Sequence, residues 1–172
     1  STVRYLYTTA VTENKTVRLV FDFENNSYLA EATLDQVLLD KPGTEKVEKK
    51  PEETKDKDGK EGETGNNDGG EKEKGVSYIE PLEADFGSLD SPLIEMRTLP
   101  AGMFLKDIYT SHDKGPIGTG KAYIYFFPNG YADSAIINFR DEDDTKYTSV
   151  KINPFNGGVD ISQEYRALDE AK

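Results

Sequence analysis

The sequence predicts an α+β protein that is mostly β, with one amphipathic N-terminal helix packed on an antiparallel β-sandwich. Three observations carry this. Residues 1–14 (STVRYLYTTAVTEN) place Val3, Leu6, Tyr7, Ala10 and Val11 at helical spacing. Most of the remaining chain falls into about eight short β-type runs bounded by turn residues. Residues 41–75 break that pattern with 9 lysines, 11 acids, 7 glycines and one apolar residue, Val47. Such a stretch cannot bury enough apolar surface to offset chain entropy, so it reads as a disordered insertion.

The helix comes first. Its apolar residues form one stripe, while Ser1, Arg4, Thr8, Thr12 and Glu13 fall largely on the other side. Asn14 and Lys15 suit its C-terminal end. No N-cap precedes it and residue 1 is Ser, so the expectation is a start inside a longer chain or a processed product, with any targeting segment upstream.

The strands follow in order. Thr16–Phe23 alternates, with Val17, Leu19, Phe21 and Phe23 on one face. Glu24–Ser27 is turn chemistry and Ser27–Thr33 returns, giving a hairpin. Leu34–Leu39 fits either a strand or a helical turn. Beyond the insertion, order is expected to resume at Val76–Leu82, followed by a loop through Gly87-Ser88 and Asp90-Ser91-Pro92. Leu93–Leu99 and Met103–Thr110 read as a hairpin around Pro100-Ala101-Gly102. Lys121–Phe127, rich in Tyr, Ile and Phe, is the strongest strand pattern. Pro128-Asn129-Gly130 turns it and Ala132–Arg140 returns. After the Asp141–Asp144 turn, Tyr147–Ile152 and Gly158–Ser162 pair around residues 153–157.

Charge and composition exclude several functions. The 172 residues hold 21 basic and 33 acidic side chains, a net charge of −12. Taking away the insertion's 9 lysines and 11 acids leaves 12 basic and 22 acidic residues. A phosphate backbone is repelled, so nucleic-acid binding is excluded, and so is an anionic lipid surface. No apolar run approaches the ~18–20 residues that span a bilayer. With no Cys there is no disulfide, thiolate metal site or Cys nucleophile. The single His, His112, excludes a multi-His metal site.

Few motifs point to chemistry. Gly115–Gly120 (GPIGTG) has the wrong order for a dinucleotide fingerprint and no helix follows, so it reads as an inter-strand loop. Asp141, Asp143 and Asp144 are candidate Ca2+ ligands by chemistry, but the EF-hand pattern is missing and a solvated turn is the plainer reading. Asp56-Lys57-Asp58-Gly59 carries a lysine that opposes a cation. His112, in Ser111-His112-Asp113, reads as an exposed loop histidine, because a catalytic triad assembles from distant positions. No Gly-x-Ser-x-Gly motif exists. No carboxylate pair of the glycosidase kind stands out. Most aromatic residues sit inside strands as core; Phe127, Tyr131 and Phe155 near turns are the more exposed. No cofactor, metal or enzymatic activity is assigned.

Two segments carry a resemblance. Arg4–Tyr28 (RYLYTTAVTENKTVRLVFDFENNSY) resembles the junction of helix and first hairpin in H-type minor pseudopilins of type II secretion (the GspH/FimT group). Phe126-Phe-Pro-Asn-Gly130, Ile136–Phe139 and Thr148–Ile161 look like that group's closing strands, with Pro128, Gly130, Pro154, Gly157 and Gly158 on its turn pattern and Val159 and Ile161 in its last strand. The resemblance covers roughly residues 1–33 and 120–162; the long Lys/Glu insertion departs from the family.

It implies a pilin-like fold. Residues 1–15 would be the C-terminal half of a pilin-type helix and 16–172 a globular β domain with the insertion at 41–75. Val3, Leu6, Tyr7, Ala10 and Val11 would be the packing and assembly stripe. The resemblance further implies a methylated, inner-membrane-anchored subunit of a Gram-negative bacterium. Its globular domain would be periplasmic and would assemble with other pseudopilins near a fibre tip for protein export. Secreted cargo is a further contact, and the membrane is reached through a helix upstream of Ser1. The alternative reading is an extracytoplasmic β-sandwich that binds a glycan or Ca2+; a minor type IV pilin is a third.

Overall fold

The computed structural model describes residues 2–39, 84–89 and 95–168. In chain order these form α1 (Thr2–Thr12), β1 (Thr16–Asp22), β2 (Ser27–Thr33), β3 (Gly87–Ser88), β4 (Arg97–Thr98), β5 (Phe104–Thr110), β6 (Lys121–Phe126), β7 (Ala135–Arg140), β8 (Tyr147–Ile152) and β9 (Val159–Ser162). The described residues are therefore mostly β, with one short helix and two antiparallel sheets.

Helix α1 ends in a Schellman-type cap. Asn14 takes the left-handed conformation at φ 52°, and the Lys15 N–H reaches back to the Ala10 carbonyl at 3.1 Å. Val3, Leu6, Thr9 and Ala10 are buried. Val11 departs from the expected stripe, being 42% exposed. At 3.6 residues per turn it lies roughly 100° round the helix from the centre of Val3, Leu6 and Ala10, beyond the sheet's reach. Thr9, on the opposite flank, is buried instead.

The first sheet has the order β3-β2-β1-β6, with β4 also on β2. β1 and β2 form the expected hairpin, from Thr16↔Thr33 to Asp22↔Ser27. The Asp22 carboxylate holds its turn by accepting the Glu24 and Asn25 N–H groups, both at 3.0 Å. The second sheet has the order β5-β7-β8-β9. A bulge between Leu105 and Asp107 leaves Lys106 as the extra residue of β5, and its ammonium meets Asp144 at 2.6 Å.

Two expected hairpins do not form among the described residues. β4 joins β2 and β5 joins β7, so residues 100–102 carry the chain from one sheet to the other. β6 pairs with β1, whereas β7 pairs with β5 and β8. The 128–130 turn closes only a short return, a bridge between Phe126 and Ala132, before the chain crosses over. Local turn chemistry is the same in both cases; which sheet offers the vacant edge decides the partner. Leu34–Leu39 is neither helix nor named strand, though Val37 is buried.

One core cluster draws on the helix and on both sheets. It contains Val3, Leu6 and Ala10 of α1, Val17, Leu19, Phe21, Ala122, Ile124 and Phe126 of the first sheet, and Leu105, Ile108, Ala135, Ile137 and Ile152 of the second.

The expected insertion at 41–75 and strand at 76–82 lie outside the described residues. The residues on either side of that gap come together. The Asp85 N–H donates to Asp35 Oδ2 at 3.2 Å, and β3 pairs with β2 at Glu31↔Ser88 and Ala32↔Gly87. Loop length costs only about 0.6 kcal/mol per doubling. Deleting residues 42–74 is therefore expected to leave the fold intact and thermal stability unchanged or slightly raised. A melting curve of the shortened chain checks this, and loss of cooperative unfolding would contradict it.

Candidate functional site

Tyr7 brings together the turns singled out by sequence. It sits at the flank of the buried helix face, half-buried, with its hydroxyl 2.8 Å from the Gly130 carbonyl and 2.9 Å from the Phe155 carbonyl. One phenolic proton serves these two acceptors. The turns also meet each other, because the Ala132 N–H donates to the Pro154 carbonyl at 2.7 Å. Gly130 and Gly157 have φ of 78° and 61°, in the region that favours glycine. A Cβ on Gly157 would lie 2.6 Å from Tyr7 Cβ and Cγ, so the glycine also makes room for the ring. Asn153 and Asn156 shape the second turn by accepting the N–H groups of Phe155 and Gly158. Pro128 lies half-buried in the first turn.

Beside this junction runs a row of aromatic rings. Tyr123, Tyr125 and Phe127 alternate outward along β6 and its end, and Tyr131 and Phe155 extend the row with centroid spacings of 6.1–6.5 Å. Tyr131 is exposed and Phe155 is 75% exposed, as the sequence implied for both; Phe127 is half-buried.

The acidic turn is committed to its own geometry. Asp141 accepts from the N–H groups of Thr145 (2.7 Å) and Lys146 (3.1 Å) and from the Thr145 hydroxyl (2.9 Å). Those bonds, Lys146 first, hold its pKa below the usual carboxylate value. Asp144 is lowered likewise, chiefly by Lys106. Asp143 is exposed. Among the described residues no group of three or more acidic or histidine side chains is placed to hold a metal ion. The GPIGTG loop is tied to β5 by paired bonds between Ile108 and Ile117, both 2.9 Å, and leads into strand β6 rather than a helix.

His112 differs from the expected exposed loop residue. Its side chain is only 17% exposed and packs edge-on against Tyr125 at 5.4 Å. Nδ1 lies 2.6 Å from Oδ2 of the fully buried Asp133, and Nε2 lies 3.4 Å from Asp113. The N–H is not aligned on Oδ2, so this contact acts by charge and proximity more than as a directed hydrogen bond. Asp133 Oδ1 accepts from the Ser111 hydroxyl at 2.5 Å and its N–H at 3.2 Å. Ser111 thus serves the aspartate rather than His112, which is not the arrangement of a nucleophile with its base. Burial pushes the imidazole pKa down; the Asp133 contact and the charges of Asp133 and Asp113 push it up, and the net result lies above the ordinary value.

Sequence reasoning missed Asp133. The available signal was a lone carboxylate between Ala132 and the apolar run from Ala135, where a charge needs a partner.

No protein family matches this chain, and no curated protein does. Among solved structures, it is similar to the minor pseudopilin EpsH from the type 2 secretion system of Vibrio cholerae. The identity is 8% over 94% of this chain and 88% of that one, with a TM-score of 0.48.

Gly157→Ala is expected to destabilise the chain by about 2–4 kcal/mol, combining left-handed strain with overpacking against Tyr7. In a Tyr7→Ala background only the strain of about 1–2 kcal/mol is expected to remain. Urea unfolding of the double-mutant cycle checks this; equal penalties in both backgrounds would refute the contact. For His112, a raised folded-state pKa gives stability that is complete below the unfolded value of about 6.5 and lost as pH rises through the folded value. His112→Gln is expected to remove that decline, measured as unfolding free energy between pH 5.5 and 8.5.

Proposed function

We propose that this chain is the globular region of an H-type minor pseudopilin, a non-enzymatic subunit of a type II secretion pseudopilus. The supporting observation is the junction of α1 with the sheet. Val3, Leu6 and Ala10 bury the helix against the first sheet, and Tyr7 bonds to both turns of the family-type pattern. An amphipathic helix held in this way can carry an anchoring helix at its N-terminal end and transmit its position to the β domain. On this reading the helix and the two sheets form the pilin-like arrangement of a helix on a β-sandwich.

On this reading, Val11 is exposed on the helix and faces neighbouring subunits. Contacts repeat head-to-tail, the heterologous geometry that builds open helical fibres. The globular region faces the periplasm, the anchor lies in the inner membrane, and partners are other pseudopilins with cargo as a further contact. The chemistry required is packing alone. A minor type IV pilin would use the same junction, in a different machine.

One observation favours a second reading. The aromatic row ending in exposed Tyr131 and Phe155 offers flat apolar faces of the kind that sugar rings stack on. A glycan-binding module is the form of the alternative that this row supports. Ca2+ is less well served, since Asp141 and Asp144 are committed to the turn and to Lys106.

The deciding experiment is to read the coding sequence upstream of Ser1 and check it by intact mass of the membrane-bound protein. A basic leader, a Gly cleavage site, a Glu shortly after it and ~20 apolar residues running into α1 are expected. A plain secretory signal with nothing apolar after it would overturn the proposal. Calorimetric titration with a sugar panel and with Ca2+ would then become the informative measurement.

A further inference from the structure

The face of the second sheet turned away from the core is unusually polar where it is most buried. Alternation along β7 sends Ala135 and Ile137 to the core cluster and Ile136 and Asn138 to the other side. On β8, Val150 and Ile152 face the core and Ser149 faces away, directly opposite Asn138. Asn138 and Ser149 are both 0% exposed.

Their hydrogen bonds run to one segment. Asn138 Nδ2 donates to the Arg166 carbonyl at 2.8 Å, and its Oδ1 accepts the Arg166 N–H at 3.3 Å. The side-chain amide thereby pairs with both backbone groups of one residue, as a neighbouring strand would. The other Nδ2 proton goes to Asp107 Oδ1 at 2.7 Å, and Oδ1 also receives the Ser149 hydroxyl at 2.5 Å, so the amide is fully used. Ser149 Oγ lies 2.6 Å from the Glu164 carbonyl as well. Between these backbone contacts, Tyr165 reaches across β5. Its hydroxyl donates to Asp107 Oδ2 at 2.9 Å and therefore accepts from the Tyr109 hydroxyl at 2.9 Å. Its ring meets Tyr147 edge-on at 5.7 Å. The segment belongs to neither sheet, and the exposed Arg166–Asp160 pair at 2.6 Å anchors it further.

We propose that this face is a binding site for an extended peptide segment, filled in cis by residues 163–168, and that it takes the same segment from a second copy of the chain. The site reads two stretches of backbone and one phenol. A second copy supplies those groups identically, so no polar atom is left without a partner after exchange. Release exposes Asn138 and Ser149 to water rather than leaving them dry, which keeps the empty state accessible. Swapping a terminal segment between identical chains is a low-cost route to association. The inference does not depend on the proposed secretion role.

The test keeps the chain full length. Tyr165→Ala weakens the resident segment without removing it, and a labelled peptide of residues 163–172 then serves as the second copy's segment. Fluorescence anisotropy is expected to show saturable binding at least tenfold tighter to the Tyr165→Ala chain than to the wild type. Adding Asn138→Ala to the receiving chain is expected to abolish it. No binding, or binding indifferent to Asn138, overturns the site. If the Tyr165→Ala chain does not hold its fold, the readout becomes recovery of near-UV circular dichroism on adding the peptide, and no recovery overturns the proposal. Exchange between copies is read by mixing the Tyr165→Ala chain, which offers an open face, with an Asn138→Ala chain, which offers a loosened segment. Sedimentation is expected to show a heterodimer. A mixture that stays monomeric refutes the exchange.

Discussion

Tyr7 fixes the rotation of helix α1 on the first sheet: its hydroxyl reaches the Gly130 and Phe155 carbonyls while its ring fits over Gly157. That constraint selects Val3, Leu6 and Ala10 for burial and leaves Val11 outside. It also holds together two loops far apart in sequence, one following β6 and one between β8 and β9. Each belongs to a different sheet. The phenol therefore stands where helix, first sheet and second sheet meet, and core packing beneath it depends on the helix staying in that rotation.

The two sheets cover their outer faces in different ways. On the first sheet, Arg18 lies 3.8 Å from the Phe86 ring centroid and 4.8 Å from that of Tyr123, and pairs with Glu31 at 2.6 Å. Phe86 and His112 pack on Tyr125, whose hydroxyl pKa is raised chiefly by burial. This is a cation and aromatic cover, supplied by the residues before β3 and the loop after β5. On the second sheet the cover is a backbone, received by Asn138 and Ser149. In both cases a segment without regular structure shields strands that would otherwise lie half open.

Much of this was legible locally. The helix announces itself by spacing, its end by Asn14, and the β1–β2 and β8–β9 hairpins by turn residues between alternating runs. The turns around Gly130 and Gly157 were marked by composition and by family resemblance, but their meeting at Tyr7 was not, since it joins positions more than a hundred residues apart. The crossovers after β4 and β6 were hidden for a related reason: a turn specifies a change of direction, not the edge on which the next strand lands. Sequence alone places His112 toward solvent, because its partner Asp133 lies on another loop. Asn138, a polar residue in the apolar run AIINFR, was the visible trace of a cover whose source lay downstream.

The direct run from α1 through Asn14 and Lys15 into β1 has a mechanical meaning. β1 is flanked on both sides, by β2 in a seven-residue register and by β6 in a six-residue one. Load that reaches β1 along its axis strains both ladders together in shear, because antiparallel ladder bonds stand perpendicular to the strand. A load drawn through the helix is thus met first by its buried stripe and the Tyr7 bonds, and what passes into β1 is shared by a strand on either side.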